Sequence, residues 1–397
     1  MGHTIEIAEF LLLVAAIVGV LARRLRIPYS VGLVLAGIAL AFVPYSASLP
    51  LTRDLIFTTL LPPLVFEAAF QLPWKPLRRD LPVIQLLATV GVLLAAALTT
   101  VGMHYAAGWP WLSALVFGVL IAATDPVSVI AAFKECGIHG RLRILMEAES
   151  LFNDGTAAVA FGIAVALALG QHSSAFEIAR TLAVIVGGGI ASGALVAGAI
   201  LLLAGSTEDR LIELTFTAVA AYGSFLLAEH FHLSGILATV TAAIILGNIG
   251  PLGAITGKGR ESVEAFWEYA AFVANSLIFL LLGLQLAHQK FSTLWFPAAA
   301  AVVIVILGRA LAVYPICWLF SRSSLRVEWE HQNLLFWGGL RGALALALAL
   351  GLPSEMPLRY DIINVSFAVV ASSIFLQGLT IPPLLRKVAA RKRGLNT

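Results

Sequence analysis

The sequence predicts an all-α integral membrane protein of thirteen transmembrane helices, built as two inverted six-helix repeats. Three observations carry this. The 397 residues are 60% hydrophobic and 12% charged, with a mean hydropathy of +0.94, whereas a soluble domain carries about 25% charged residues. Apolar windows of about 20 residues, the length that crosses a bilayer, recur along the whole chain. The basic residues fall almost entirely on alternate connections between those windows.

The spans run roughly 4–22, 27–43, 54–71, 81–104, 110–133, 142–170, 177–204, 210–229, 234–250, 265–287, 294–319, 330–351 and 361–385. Short connections leave no room for a soluble domain. Glu6 and Glu9 stand where a cleavable signal would be basic, so no signal peptide is expected. Cys136 and Cys317 give neither a disulfide framework nor a metal spacing. A net charge of +3 gives no footprint for nucleic acid.

Lys and Arg favour cytoplasmic loops. One set of alternate connections holds Arg23, Arg24, Arg26, Lys75, Arg78, Arg79, Lys134, Arg141, Arg143, Arg210, Lys258, Arg260, Arg322, Arg326 and the tail Arg386, Lys387, Arg391, Lys392 and Arg393, which makes 19. The other set holds 4, Arg53, Arg180, Lys290 and Arg359. The split predicts an outside N-terminus and a cytoplasmic C-terminus. With span 7 as a linker, spans 1–6 and 8–13 become two halves of opposite orientation, the inverted-repeat plan of secondary transporters. Spans 5 and 12 should then correspond and both be interrupted. Span 5 contains Thr124-Asp125-Pro126 and span 12 contains Gly338-Gly339-Leu340-Arg341-Gly342; proline removes a backbone donor and glycine weakens helix persistence.

Charges inside spans are costly and mark function or structural pairing. They are Glu67, Asp125, Glu149, Asp154, Arg309 and Arg341. Arg309 needs a carboxylate, and Glu149 is assigned to it as a structural pair. Arg341 beside Asp125 would neutralise the helix ends exposed at the two breaks. Glu6, Glu9 and Glu147 lie near span ends, within reach of interface water. Asp154 is left without a required basic partner. Ser150 lies one helical turn before it on the same face, and backbone carbonyls freed at Thr124 would add oxygens suited to a small dehydrated cation. Without a cation, desolvation disfavours the charged carboxylate and Asp154 should hold a proton. A carboxylate that holds either a cation or a proton makes an exchanger.

These residues carry a resemblance. ATDPVSV (123–129), ESLFNDG (149–155), GGLRGAL (338–344), PPLVFEAAF (62–70) and FLQGLTI (375–381) resemble the sodium/proton exchanger branch of the monovalent cation–proton antiporter superfamily, and within it the prokaryotic NhaP type. The resemblance spans nearly the whole chain. It implies that spans 5 and 12 are unwound and cross. It also implies a dimerisation domain from 1–72 and 210–287, a core ion-transport domain from 81–170 and 294–386, a linker helix 177–204 and a basic cytoplasmic tail 387–397. Asp154 would be the cation and proton ligand, with Ser150 and the main-chain carbonyl of Thr124 completing the site and Glu67 touching the cation through water. Glu149 would pair with Arg309. Asn153 stands where electrogenic relatives carry a second Asp, so exchange of one cation for one proton is implied to be electroneutral. The family also implies a homodimer in the plasma membrane, transported sodium or lithium, no cofactor, and an elevator-like motion of the core. With no long tail after span 13, nucleotide or calmodulin regulation is not expected.

Potassium/proton exchange uses the same ligand types and is the nearest alternative; family membership favours sodium. A cation channel would need a filter of repeated carbonyls or charged rings, and none is present in the sequence. An anion symporter fits poorly with Asp154, Glu149 and Glu67 together. No nucleophile–base pair, metal cluster or phosphate loop suggests an enzyme; GPLGAITGKGRES (250–262) has the wrong spacing for one and is expected to be a glycine-rich connector. His104, His139, His230 and His232 are expected to be solvated near the membrane faces. Trp109, Trp111, Trp295 and Trp329 are expected in the interfacial belts.

Overall fold

The structure, a computed structural model, describes residues 2–42, 51–125, 129–130, 133, 140–171, 174–205, 209–250, 255–289 and 294–394; the side chains of 2–5, 258 and 388–394 are outside that description. Pro126, Lys134, Cys136, His139 and Lys290 lie outside the described residues. All regular structure among the described residues is helical. Seven helical runs are long and apolar enough to cross a membrane: Trp74–Ala107, Arg141–Ala168, Ala175–Ala204, Arg210–His230, Gly259–His288, Trp295–Leu319 and Arg359–Lys387. Shorter apolar helices cover Tyr29–Leu40, Leu55–Phe70, Trp111–Leu120 and Gly235–Ile249.

Several boundaries differ from the hydropathy windows, for local reasons. The fourth helix begins at Trp74, because extended Pro73 starts it, so Lys75, Arg78 and Arg79 occupy its first turns and not a connection. The expected connector 250–262 is already helical from Gly257, where the Thr256 hydroxyl accepts from the Gly259 N–H at 3.0 Å and caps the helix Gly257–His288. Wide π-helical turns interrupt four runs, at Leu55–Leu60, Leu87–Gly91, Val219–Gly223 and Ser373–Gly378. Such turns shift the register of the side chains that follow, and they recur near functional sites.

Helices in a bilayer gain little from hydrophobic exclusion and associate through close packing, which small residues permit. The helix Gly257–His288 packs on Tyr29–Leu40 and on Leu61–Phe70. A methyl group on Gly37 would lie 2.1 Å from the Leu280 carbonyl oxygen, and one on Gly283 would lie 2.2 Å from that of Val34. Backbone meets backbone there, and any larger residue would force the pair apart. A second group forms where Trp295–Leu319 packs on Val92–Ala107, Trp111–Leu120 on Arg141–Ala168, and Ala343–Leu350 on Arg359–Ser372.

Two short helices stop inside this second group. Trp111–Leu120 gives way to non-helical backbone at 121–125, and Trp329–Trp337 to non-helical backbone at 338–342 before Ala343–Leu350 resumes. The two stretches touch: the Asp125 N–H donates to the Leu340 carbonyl at 2.7 Å. Backbone groups that leave a helix within a membrane need partners, and each stretch supplies some of the other's.

Candidate functional site

Arg341 shows how the interrupted backbone is held. Its guanidinium donates to the carbonyls of Ala122 (2.6 Å) and Ala123 (3.0 Å), which lie just past the C-terminal end of the 111–120 helix, where the dipole is negative. Its own N–H donates to the Ser373 hydroxyl at 3.0 Å, and Ser373 in turn donates to Gln377 at 2.6 Å, both on the wide turn Ser373–Gly378. Asp125 sits at the start of the 343–350 helix, so close to Gly342 that a Cβ there would lie 2.1 Å from its Oδ2. A carboxylate at a helix N-terminus is the electrostatic counterpart of a guanidinium at a C-terminus.

A second network lies on the helix Arg141–Ala168. Glu149, 1% exposed, accepts from Arg309 Nη1 at 2.8 Å and Nη2 at 2.9 Å, and Arg309 also donates to the Leu335 carbonyl. One helical turn on, Asn153 is fully buried and makes three hydrogen bonds through its amide. Nδ2 donates to Glu149 at 3.0 Å and to the Thr124 hydroxyl at 2.6 Å, while Oδ1 accepts from the Thr124 N–H at 3.2 Å. An amide is required here because the site needs a donor towards a carboxylate and an acceptor towards a backbone N–H on one side chain. The Thr124 and Ser150 hydroxyls are 3.1 Å apart. Arg309, Glu149, Asn153, Thr124 and Ser150 therefore form one chain of bonds that fixes the non-helical backbone at 124 against the 141–168 helix.

Asp154 stands outside that chain. Its Oδ1 is buried with no hydrogen-bond partner. A buried carboxylate oxygen without a donor costs several kcal/mol unless it takes up a proton or a cation. Asp154 forms part of the wall of a cavity of about 620 Å³ that Thr124, Asp125, Ser150 and Glu67 also line. The geometry thus places Asp154, Ser150, Thr124 and Glu67 around one space, while Glu149, Asn153 and Arg309 do not line it.

The cavity wall includes groups the sequence reading did not single out. Gln71 donates to Glu67 at 2.7 Å and accepts from Arg143 at 3.2 Å, and Arg143 pairs with Glu147 at 2.7 Å. Glu147, expected near interface water, is 5% exposed and lines the cavity; the helix it starts on is packed from all sides at that level. The i,i+4 spacings 67–71 and 143–147 were visible in the sequence, but which helix faces which was not. Arg141 holds the buried Asp80 through two nitrogens, with contacts of 2.8 to 3.1 Å, and caps the Leu325 and Arg326 carbonyls, well away from its expected role as a loop charge. Asn275, on the helix Gly257–His288, also lines the cavity and has a buried Oδ1 with no partner; nothing local in the sequence marks it. No cluster of three His, Cys, Asp or Glu residues suited to a resident metal occurs among the described residues.

The chain is similar to known proteins over nearly its whole length. The family model described as sodium/hydrogen exchanger, transmembrane, matches residues 11–387. The Na(+)/H(+) antiporter ApNhaP of Aphanothece halophytica is 37% identical, over 91% of this chain and 70% of its own length. NhaG of Bacillus atrophaeus, also a Na(+)/H(+) antiporter, is 36% identical over 98% of this chain and 76% of its own length. Two solved structures of the sodium proton antiporter MjNhaP1 from Methanocaldococcus jannaschii share the fold, with TM-scores of 0.75 and 0.77 at 20% and 21% identity, covering 98% of this chain and 97% and 98% of theirs. With the family model spanning both networks and the cavity between them, the chain belongs to the sodium/hydrogen exchanger family.

Proposed function

We propose that this protein is an electroneutral sodium (or lithium)/proton antiporter in which one cation and one proton compete for Asp154. The observation that carries the proposal is the partnerless, buried Oδ1 of Asp154, a residue in the wall of a cavity that Ser150 and Thr124 also line, while the neighbouring Glu149 is neutralised by Arg309. The names of the relatives ApNhaP and NhaG support the same pair of ions.

The residues divide the work. Asp154 and Ser150 supply side-chain oxygens and Thr124 its carbonyl; Glu67 reaches the cation through water. Asn153, neutral and held by three hydrogen bonds, adds no second proton site, which makes the exchange one for one. Binding a cation or a proton neutralises Asp154 and lets the core move through the membrane, whereas the empty carboxylate does not cross. Coupling follows, since only loaded states interconvert.

The larger frame is thirteen spans in two inverted repeats, with spans 5 and 12 unwound and crossing at 121–125 and 338–342. Spans 4–6 and 11–13 form the moving core, and spans 1–3 and 8–10 form the scaffold of a homodimer. The N-terminus is outside and the C-terminus in the cytoplasm, in the plasma membrane. The two packing groups of helices and the Asp125–Leu340 contact support this frame.

The test is proton flux in proteoliposomes with an internal pH dye and a voltage dye, on addition of sodium, lithium, potassium or choline, for wild type and Asp154→Asn. Sodium-dependent flux without voltage, abolished by Asp154→Asn, is expected. Flux with potassium alone would reassign the cation. Cation-driven voltage without proton movement would make the protein a channel, and no flux with any cation would overturn the exchanger.

A further inference from the structure

The cavity has a second buried oxygen in need of a partner, and it lies on a different helix from Asp154. The helix Gly257–His288 contributes Glu268, Ala271, Phe272, Asn275 and Phe279 to the lining. Glu268, Ala271 or Phe272, Asn275 and Phe279 are spaced three to four residues apart and so form one stripe along the helix. Along the stripe Glu268 is exposed, Asn275 is intermediate and Phe279 is 3% exposed. Glu268 and Asn275 are two turns apart, about 10 Å along the axis.

The helix around Asn275 is held in place by its neighbours. Next to it, the Ser276 hydroxyl donates to the Phe272 carbonyl and is 2.8 Å from the Tyr29 hydroxyl, and Phe272 stacks on Tyr29 with ring centroids 5.3 Å apart. The Gly37–Gly283 contact locks the same helix two turns further in. A rigid helix therefore carries, in the cavity wall, an amide whose Oδ1 is buried with no donor from the protein. An amide oxygen in this setting is a good ligand for a hard cation, and it takes up no proton at ordinary pH.

We propose that Asn275 Oδ1 is a further cation ligand, one that sets affinity for the cation without touching the proton that competes with it. This deepens the antiporter proposal and rests on it. Asp154 decides between cation and proton, and Asn275 adds binding energy only when the occupant is a cation. Losing this oxygen therefore weakens cation binding by the same factor at every pH, whereas any change acting through Asp154 alters the factor as pH crosses its titration.

The experiment measures sodium-driven proton flux in proteoliposomes, from pH 6 to 9, for wild type, Asn275→Leu, Asn275→Ala and Asn275→Asp. Sodium-dependent thermal stabilisation of the same proteins in detergent gives binding without transport. An oxygen bonding a charged group is worth about 1.5 kcal/mol or more, so the sodium concentration for half-maximal flux should rise roughly tenfold in Asn275→Leu and Asn275→Ala. The ratio to wild type should be constant across the pH range, with maximal rate retained. Asn275→Asp, which keeps an oxygen, should not show the rise. Unchanged sodium dependence in Asn275→Ala would overturn the proposal and leave the oxygen hydrated by cavity water. A ratio that changes with pH would overturn it too, by showing that the residue acts through Asp154. Should Asn275→Leu fail to fold, Asn275→Ala and Asn275→Asp decide the matter between them. Absence of cation-coupled flux in wild type would instead remove the exchanger itself.

Discussion

Glu149→Gln tests whether the buried ion pair holds the ion site in shape. In the native protein both carboxylate oxygens bind Arg309, at 2.8 and 2.9 Å, and one of them also receives Asn153 at 3.0 Å. The amide keeps one acceptor and turns an NH2 group towards a guanidinium that is 6% exposed and that otherwise donates to the Leu335 carbonyl. Removing one member of a buried pair costs about 3–5 kcal/mol, because the other charge stays buried and unpaired. Arg309→Met should cost a similar amount by stranding Glu149. The double variant Glu149→Leu with Arg309→Met strands neither, so its cost should fall below the sum of the singles by several kcal/mol. Thermal unfolding in detergent, followed by tryptophan fluorescence, reads this cycle. Flux in proteoliposomes reads whether Thr124 stays in place, since Asn153 links the pair to it. Additive losses would refute the reasoning, and so would full sodium/proton exchange in a Glu149→Gln protein of normal sodium affinity, which would detach the pair from the site.

Other outcomes follow from the same geometry. Asn153→Asp replaces a donor with an acceptor 3.0 Å from Glu149, so the variant should lose stability as pH rises and the new carboxylate ionises beside its neighbour; unfolding temperatures between pH 5 and 9 would show the slope, and a flat profile would count against it. Raising the pH should lower the sodium concentration for half-maximal flux by about tenfold per unit while Asp154 is mostly protonated, and by nothing once it is ionised; a dependence that never levels off would argue against competition at one carboxylate. Gly342→Ala puts a methyl group 2.1 Å from Asp125 Oδ2 and should abolish flux or assembly, while Gly162→Ala, on an open helix face, should leave flux at the wild-type level. Asp80→Asn weakens the two-nitrogen grip of Arg141. Because Arg141 is partly exposed, about 1–2 kcal/mol of unfolding stability is at stake, with sodium affinity unchanged.

The membrane class, most of the spans and the charged residues to examine were legible in the sequence, because lipid penalises polar groups and makes each one stand out. That Arg309 needs a carboxylate from another span could be said in advance, since an Arg cannot shed its charge; that the carboxylate is Glu149 was implied by the family resemblance. Asn153 could be placed near the site, but its three hydrogen bonds depend on the exact distances to Thr124 and Glu149. Gln71 and Asp80 escaped notice, and Glu147 was expected in interface water, because nothing in a linear chain says which helix turns towards which.

Composition, hydropathy period and basic-residue alternation are local sums along the chain, so the sequence by itself determined that this is a multi-span membrane protein with charges that need compensation. Which oxygens share a space is a property of helices far apart in sequence. Only the tertiary structure decided that Asp154 and Asn275, 121 positions apart in the chain, line one cavity with an oxygen unpaired on each, while Glu149 does not line it. Close packing at glycine contacts such as Gly37 and Gly283 sets those distances, and a hydrogen bond or an ion site exists or fails over a few tenths of an ångström.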